Sequence, residues 1–211
     1  MTDAAPGQIA LSPSSQSQPA VRPGVIVLAR HGRPALSREV TLSAKEYRHW
    51  WALYEEGGIV PTRRPPDHLV SAALRAKTIF TSTRRRAIES AQLLAPGRDL
   101  VSEKVFIEAP LPPPHWPDWL KLSPRKWGVI SRLLWWYLNQ HDHEESRAQA
   151  EVRAAEGARL LTAAAANGDD VLLVAHGFIN AMLGIQLRLL GWRTIKGRGW
   201  RYWSTRYFER P

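Results

Sequence analysis

The amino-acid sequence predicts an α/β fold, a three-layer α/β/α sandwich whose mainly parallel central sheet is covered by helices on both faces. Short apolar runs alternate with longer amphipathic patterns along most of the chain, which is typical of parallel strands joined by helices. Two of these runs, Val25–Ala29 and Val171–Ala175, pass directly into a His-Gly dipeptide. The chain has 211 residues, 44% of them hydrophobic, which is enough for one domain with a proper core.

Strands are predicted where a short apolar run ends in turn residues, and the alternating aromatic and polar residues near the C terminus indicate a last strand. The predicted strands are Val25–Ala29, Thr78–Ser82, Lys104–Ile107, Val171–Ala175 and the segment WRYWSTRYFE. Helices are predicted where apolar residues recur with helical spacing. The predicted helices are Ser43–Glu56, Arg85–Leu94, Pro124–Gln140, Glu144–Ala166 and Phe178–Leu190.

The N-terminal residues 1–22 are rich in Ser, Pro, Gln and Ala, so we expect a disordered tail, with residues 23–211 as one domain. The tail has neither a basic start nor a continuous apolar stretch, which favours a cytoplasmic protein over a secreted one. No apolar run is long enough to span a membrane. The Trp-rich stretch WGVISRLLWWYLNQ comes closest, and we interpret it as a helix packed on its own domain rather than on a membrane surface.

The net charge of +10 suits a phosphorylated ligand, nucleic acid or an anionic membrane, although a basic solvated surface explains it equally well. The chain contains no cysteine, which excludes disulfides, thiolate metal sites and cysteine nucleophiles. His141 and His143 lie in a charged stretch and are interpreted as solvated. We therefore predict no metal and no cofactor.

The two His-Gly dipeptides place His31 and His176 at the ends of buried strands. Ligands of open α/β sheets bind at the carboxyl ends of the strands, so the two imidazoles are expected to face one pocket. Gly32 and Gly177 let the backbone turn and approach a ligand closely. The helix that follows Gly177 directs its free N–H groups to the same place.

Arginines accompany these histidines. Arg30 precedes His31, and Arg86 lies in the first turns of the helix that follows the strand ending at Ser82. Guanidinium groups carry a permanent charge and a fork of donors that suits phosphate oxygens. Arg30, Arg86 and the two histidines therefore predict a pocket for a dianion, to which Arg33 is a further candidate contributor.

Four segments in this order resemble the histidine phosphatase superfamily, also called the phosphoglycerate mutase-like family. They are Arg30-His31-Gly32, the segment from Ser82 to Ala91, the acid in VFIEAPLP, and Ala175-His176-Gly177. The resemblance extends over roughly residues 25–190. It implies a phosphoglycerate mutase-like fold and makes residues 23–211 the catalytic domain.

The resemblance also implies the roles of the residues. His31 would be the nucleophile that forms a phosphohistidine, and Arg30, Arg86 and His176 would hold the phosphoryl oxygens. Glu108 would be the proton donor to the leaving oxygen. Two other acids are rivals for this last role: Glu103, expected to precede the third strand, and Asp118.

The first motif departs from the family, which usually has Thr or Ser where this chain has Pro34. Pro has no donor for a phosphate, and Arg33 and Ser37 are the residues that would compensate. The departure argues against a specialised mutase and leaves a phosphatase. Residues 112–140 are expected to form a lid over the pocket, with an aromatic and basic surface.

The function expected is hydrolysis of a phosphomonoester, in a phosphorylated small molecule or a phosphoprotein. A mutase that returns the phosphoryl group to a metabolite would use the same residues. A weakly active module that binds anionic partners through its basic surface is the alternative from another class; nucleic acid and an anionic membrane are less favoured partners.

Overall fold

The computed structural model describes residues 22–62, 64–197 and 199–211, so most of the predicted tail lies outside the described residues. The strands are β1 (Ile26–Arg30), β2 (Thr78–Ser82), β3 (Val101–Glu103), β4 (Val171–Ala175), β5 (Arg193–Lys196) and β6 (Thr205–Glu209). The helices are α1 (Ala44–Glu56), α2 (Asp67–Arg75), α3 (Arg85–Leu94), α4 (Pro124–Leu138), α5 (Arg147–Ala165) and α6 (Gly177–Leu189).

The six strands form one sheet in the order β3-β2-β4-β1-β6-β5. The pairs β2–β3, β2–β4 and β1–β4 are parallel, and β6 pairs antiparallel with both β1 and β5. The expectation of a mainly parallel sheet is therefore confirmed. The parallel strands β1, β4 and β2 lie side by side, so their carboxyl ends meet at one edge of the sheet.

Alternating side chains of the central strands fill two separate cores, which makes the molecule a three-layer sandwich as predicted. Ile26 and Leu28 of β1 pack on one face with the small and aliphatic residues of α5 and α6. Val27 and Ala29 pack on the other face with α2 and α3. Successive side chains of a strand point to opposite faces, so a continuous apolar run is what a strand buried on both faces requires.

A third cluster of buried aromatic residues lies outside the sandwich. It joins α1 to α4 through Tyr47, Trp50, Tyr54 and Trp127. Trp127 is fully buried, and its indole N–H donates to the Leu42 carbonyl at 2.7 Å. This cluster fixes α1 and α4 relative to each other. None of the helices in the described residues is long and apolar enough to cross a bilayer.

The prediction of a strand at Lys104–Ile107 is wrong. The strand beside β2 is Val101–Glu103, an exposed edge strand, and residues 104–106 form one turn of 3₁₀-helix that buries Phe106 in the core. The apolar run therefore reflects the packing of a turn rather than strand pairing. Glu103 is correspondingly the last residue of a strand, opposite Ser82, and does not precede it.

Other differences concern the ends of elements. The helix expected from Glu144 begins at Arg147, because Ser146 and Gln149 form a capping box. The helix expected to reach Gln140 ends at Leu138, because Asn139 adopts a left-handed backbone. The last strand begins only at Thr205. The α2 helix and the β5 strand were not predicted; β5 is exposed throughout and has no buried face to mark it.

Candidate active site

His31 and His176 are brought together by the register of two parallel strands. Arg30, the last residue of β1, lies opposite Ala175, the last residue of β4, so the next residue of each chain segment is a histidine. Both side chains are buried, and their ring centroids are 5.1 Å apart with the rings edge to face. The two imidazoles therefore meet at the carboxyl edge of the sheet.

The hydrogen bond of His31 defines which of its ring nitrogens is free. Its Nδ1 lies 2.7 Å from the Gly32 carbonyl oxygen, which can only accept, so Nδ1 carries the proton and Nε2 carries a lone pair. Burial lowers the pKa of His31 well below 6.5, and the positive charges of Arg86 and Arg30 lower it further. The ring is thus neutral, with an unprotonated Nε2.

His176 has the opposite arrangement. Its Nε2 lies 2.6 Å from the Ser82 hydroxyl, which itself accepts a hydrogen bond from the Arg84 amide at 3.3 Å. We assign the hydroxyl as the donor, because Nε2 is the one acceptor for its proton among the described hydrogen bonds, and we place the proton of the neutral ring on Nδ1. Burial lowers the pKa of His176 as well, and the neighbouring Arg86, His31 and Arg30 lower it further, in that order. The Nδ1 atom is buried with no partner among the described residues, so it is a free donor.

Two arginines adjoin the imidazoles. Arg86 is fully buried in the first turn of α3, where Nη2 donates to the Glu55 carboxylate at 2.6 Å and Nη1 to the Tyr54 carbonyl at 3.0 Å. Arg30 donates to the Trp200 carbonyl, and its guanidinium lies 4.7 Å from the centre of the Tyr202 ring. The Nε atoms of both arginines are buried and unpartnered within the described chain.

Glu108 lies at the N-terminus of α6. Its carboxylate accepts from the amides of Phe178 at 3.2 Å and Ile179 at 2.9 Å, as a helix N-terminus favours for an anion. The segment before it is held by Arg153, whose Nη1 donates to two backbone carbonyls of residues 105–107 at 2.8 Å each. Among the residues that the structure describes, the Arg132 guanidinium, 4.0 Å away, is the positive group nearest to the carboxylate.

A cavity of about 320 Å³ joins these groups. Six of the predicted site residues line it: Arg30, His31, Arg86, Glu108, His176 and Gly177. The α4 helix forms the opposite wall through residues between Pro124 and Arg132, so part of the segment expected as a lid does face the site. A larger depression of about 840 Å³ shares Trp51, Glu108 and Leu111 with the cavity.

Ser37 does not reach the cavity, contrary to its predicted role. It is exposed, and its hydroxyl accepts from the Glu39 amide at 3.1 Å. Backbone pairing of residues 33–35 with residues 58–60, including the bridge between Pro34 and Ile59, directs this segment away, and Arg38 lines the cavity instead. Arg33 also lies outside the cavity lining.

Gly32 has a structural task beside the site. Its amide donates to the Ser90 hydroxyl at 2.8 Å, and a Cβ at this position would lie 2.5 Å from the Trp203 ring. The close approach of this ring therefore requires a glycine. The rival acids Glu103 and Asp118 are exposed and do not line the cavity.

The sequence did not identify several residues of the cavity wall. Arg125 of the expected lid lines it, and so do Arg38, Tyr47, Arg132 and Trp200, which the sequence did not mark as site residues. The one signal available for these four was the charge of Arg132 within the largely apolar stretch 127–138. The others come from distant parts of the chain, and only the tertiary structure brings them to the site.

The fold and this edge site define the class of protein: an α/β/α sandwich whose central strands present paired histidines with arginines and an acid. The family model of the histidine phosphatase superfamily (branch 1) matches residues 26–204, so the chain belongs to that superfamily. The predicted family and its phosphoglycerate mutase-like fold are thereby confirmed. No curated protein is similar enough to the chain to count as a match.

Solved structures agree with this fold. Mycobacterial hydrolase 2 is 22% identical with a TM-score of 0.51, over 79% of this chain and 73% of that one. Mycobacterial hydrolase 1 is 21% identical with a TM-score of 0.51, over 79% of each chain. YhfR of Bacillus stearothermophilus is 18% identical with a TM-score of 0.50, over 78% of this chain and 80% of that one.

Proposed function

We propose that the protein is a phosphatase that hydrolyses a small phosphomonoester through a phosphohistidine on His31, with residues 23–211 as its catalytic domain. The observation that carries the proposal is the state of His31: a buried, neutral imidazole whose Nε2 is unprotonated, placed beside two arginines. A nitrogen nucleophile needs a lone pair, and a phosphoryl dianion needs positive charge around it. The volume of the cavity suits a small molecule.

In the first half of the reaction, His31 Nε2 forms a bond to phosphorus while the bond from phosphorus to the ester oxygen breaks. Protonated Glu108 transfers its proton to that oxygen, which leaves as an alcohol. The Oε2 atom of Glu108 accepts one amide hydrogen bond, from Phe178. The Oε1 atom accepts two, from Ala109 and Ile179. Oε2 therefore keeps a lone pair free for the proton that is exchanged.

In the second half, the Glu108 carboxylate takes a proton from a water molecule as its oxygen attacks phosphorus. The bond to His31 Nε2 breaks, phosphate is released, and Glu108 is again protonated. Arg30, Arg86 and the Nδ1–H of His176 stabilise the charge on the phosphoryl oxygens in both steps. These donors are fixed before substrate arrives, so little reorganisation is needed.

The test is to follow turnover and covalent labelling with a substrate radioactive in phosphorus. A denaturing quench during turnover is expected to trap phosphate on the protein in an acid-labile, base-stable form, and His31→Ala should lose both label and turnover. His68→Ala removes an exposed histidine on α2 and serves as the matched control. Full activity of His31→Ala would refute the proposal.

A further inference from the structure

The cavity holds more positive charge than one phosphoryl group requires. Five arginines line it, and Glu108 is the one carboxylate in the described lining. Two of these arginines, Arg30 and Arg86, adjoin the histidines. The remaining three come from the loop after β1 and from α4, and they are Arg38, Arg125 and Arg132.

Aromatic rings, rather than an acid, hold Arg38 in place. Its guanidinium lies 5.0 Å from the centre of the Tyr54 ring and 5.6 Å from that of Tyr202. Nη2 donates to the Tyr54 hydroxyl at 2.9 Å, and Nε is buried without a partner in the described chain. Cation–π contacts of this kind orient the group but leave its charge uncompensated.

Arg132 lines the cavity from α4, and an aromatic ring packs against its guanidinium as well. Its guanidinium lies 4.3 Å from the centre of the Phe178 ring, and Glu108, its one acidic neighbour in the described part of the chain, is 4.0 Å away. Burial lowers the pKa of Arg132; Glu108 opposes this effect, while Arg30 and Arg38 add to it. The arginines therefore repel one another, and an anion between them would relieve that repulsion.

A buried hydroxyl completes this group. Tyr47 is 0% exposed and lines the cavity, and its hydroxyl has no hydrogen-bond partner among the described residues. Burial raises the pKa of Tyr47, although Arg38 and Arg132 are close enough to act against it. The group is thus a neutral phenol with a proton to donate. Buried polar groups normally have partners, so this hydroxyl indicates an absent acceptor.

We propose that Arg38, Arg132 and the Tyr47 hydroxyl bind a second anionic group of the substrate. The substrate class is then a small phosphomonoester that also bears a carboxylate or a second phosphoryl group. Guanidinium forks and a phenol donor suit the oxygens of either anion. The 320 Å³ of the cavity limits the second anion to a few bonds from the ester. This inference rests on the proposed hydrolysis.

The test compares substrates that differ only in this group: 2-phosphoglycolate, with a carboxylate, against 2-hydroxyethyl phosphate, with a hydroxyl. The bisphosphate of 1,2-ethanediol is the third substrate and distinguishes a phosphoryl group from a carboxylate. We expect kcat/KM to be about 10- to 100-fold higher for at least one anion-bearing substrate, as charge-assisted hydrogen bonds imply.

The readout for variants is the kcat/KM of the preferred anion-bearing substrate divided by that of 2-hydroxyethyl phosphate. General effects on catalysis cancel in this ratio. Arg132→Met should bring the ratio to within about threefold of one, and Tyr47→Phe should lower it by a smaller factor while keeping the ring. Lys126→Met removes a positive charge from an exposed position on the same helix and should keep the wild-type ratio.

Equal kcat/KM for all three substrates would overturn the second anion site and leave the proposed hydrolysis intact. A preference that Lys126→Met abolishes as fully as Arg132→Met would also overturn it, because general electrostatic attraction would then be the cause. If none of the substrates is turned over, the proposed hydrolysis fails. Calorimetric Kd values then decide: tenfold tighter binding of an anion-bearing probe supports the site, and equal Kd values refute it.

Discussion

Replacing Glu108 by Gln removes a transferable proton and keeps most contacts of the side chain. The glutamine carbonyl can still accept from the amides of Ala109 and Ile179, as Oε1 does now. The new NH₂ group faces the Phe178 amide, where two donors oppose each other. The variant therefore isolates proton transfer from the placement of the side chain.

The loss of folding stability is small beside the loss of rate. The Phe178 amide loses its acceptor, which costs about 1–2 kcal/mol. A missing general acid slows the reaction by about 10²- to 10⁴-fold, which is about 3–5 kcal/mol in the barrier. The variant should consequently fold and still show the full kinetic effect.

The assay compares two leaving groups in the pre-steady state. An alkyl phosphate leaves as a strongly basic alkoxide and needs the proton, whereas p-nitrophenyl phosphate leaves as a weakly basic phenolate. Formation of phosphoenzyme should therefore slow by the full factor for the alkyl ester and much less for the aryl ester. Arg86→Ala is the contrast, because it removes a contact to the phosphoryl group that both esters share.

Equal losses for the two esters in Glu108→Gln would refute the role of Glu108. Steady-state turnover is unsuitable for this test, because hydrolysis of the common phosphoenzyme can limit both rates. Glu103 and Asp118 would not replace it, since both are exposed outside the cavity.

Three further expectations concern the residues around the histidines. Ser82→Ala removes the hydrogen bond that fixes the tautomer of His176 and should lower kcat/KM about tenfold. Ser82→Thr keeps the hydroxyl and should restore kcat/KM. Unchanged steady-state kinetics in Ser82→Ala would contradict this role. Both histidines have lowered pKa values, so the unfolded state binds more protons below about pH 6.5. The free energy of unfolding from urea titrations should therefore be higher at pH 7.5 than at pH 5.5, and His31→Asn should reduce this difference. Gly32→Ala forces a methyl group against Trp203 and should cost about 1–3 kcal/mol of stability in the same titrations.

The centre of the fold was predictable because its strands are buried on both faces. Such strands read as continuous apolar runs, and Thr78–Ser82 and Val171–Ala175 have the bounds that the sequence predicted. The following His-Gly dipeptides then located the site, since parallel strands bring their carboxyl ends together. The edge strands β3 and β5 were missed because their residues are exposed and carry no apolar pattern.

The wall of the site was less predictable, because tertiary contacts decide it. Ser37 and Arg38 are neighbours in sequence, yet backbone pairing around Pro34 leaves the first in solvent and puts the second in the cavity. Tyr47 has the spacing of a core residue on α1, and nothing in that pattern reveals that it lines a cavity. Arg132 was visible only as a charge within the largely apolar stretch 127–138 of α4.

The position of the trapped phosphoryl group tests the central claim most directly. The hydrogen bond from His31 Nδ1 to the Gly32 carbonyl leaves Nε2 as the one nitrogen of that ring able to attack. Peptide mapping of the quenched phosphoenzyme, with ³¹P NMR to distinguish the two ring positions, should find phosphorus on Nε2 of His31. Phosphorus on His176, or on Nδ1 of His31, would contradict the account.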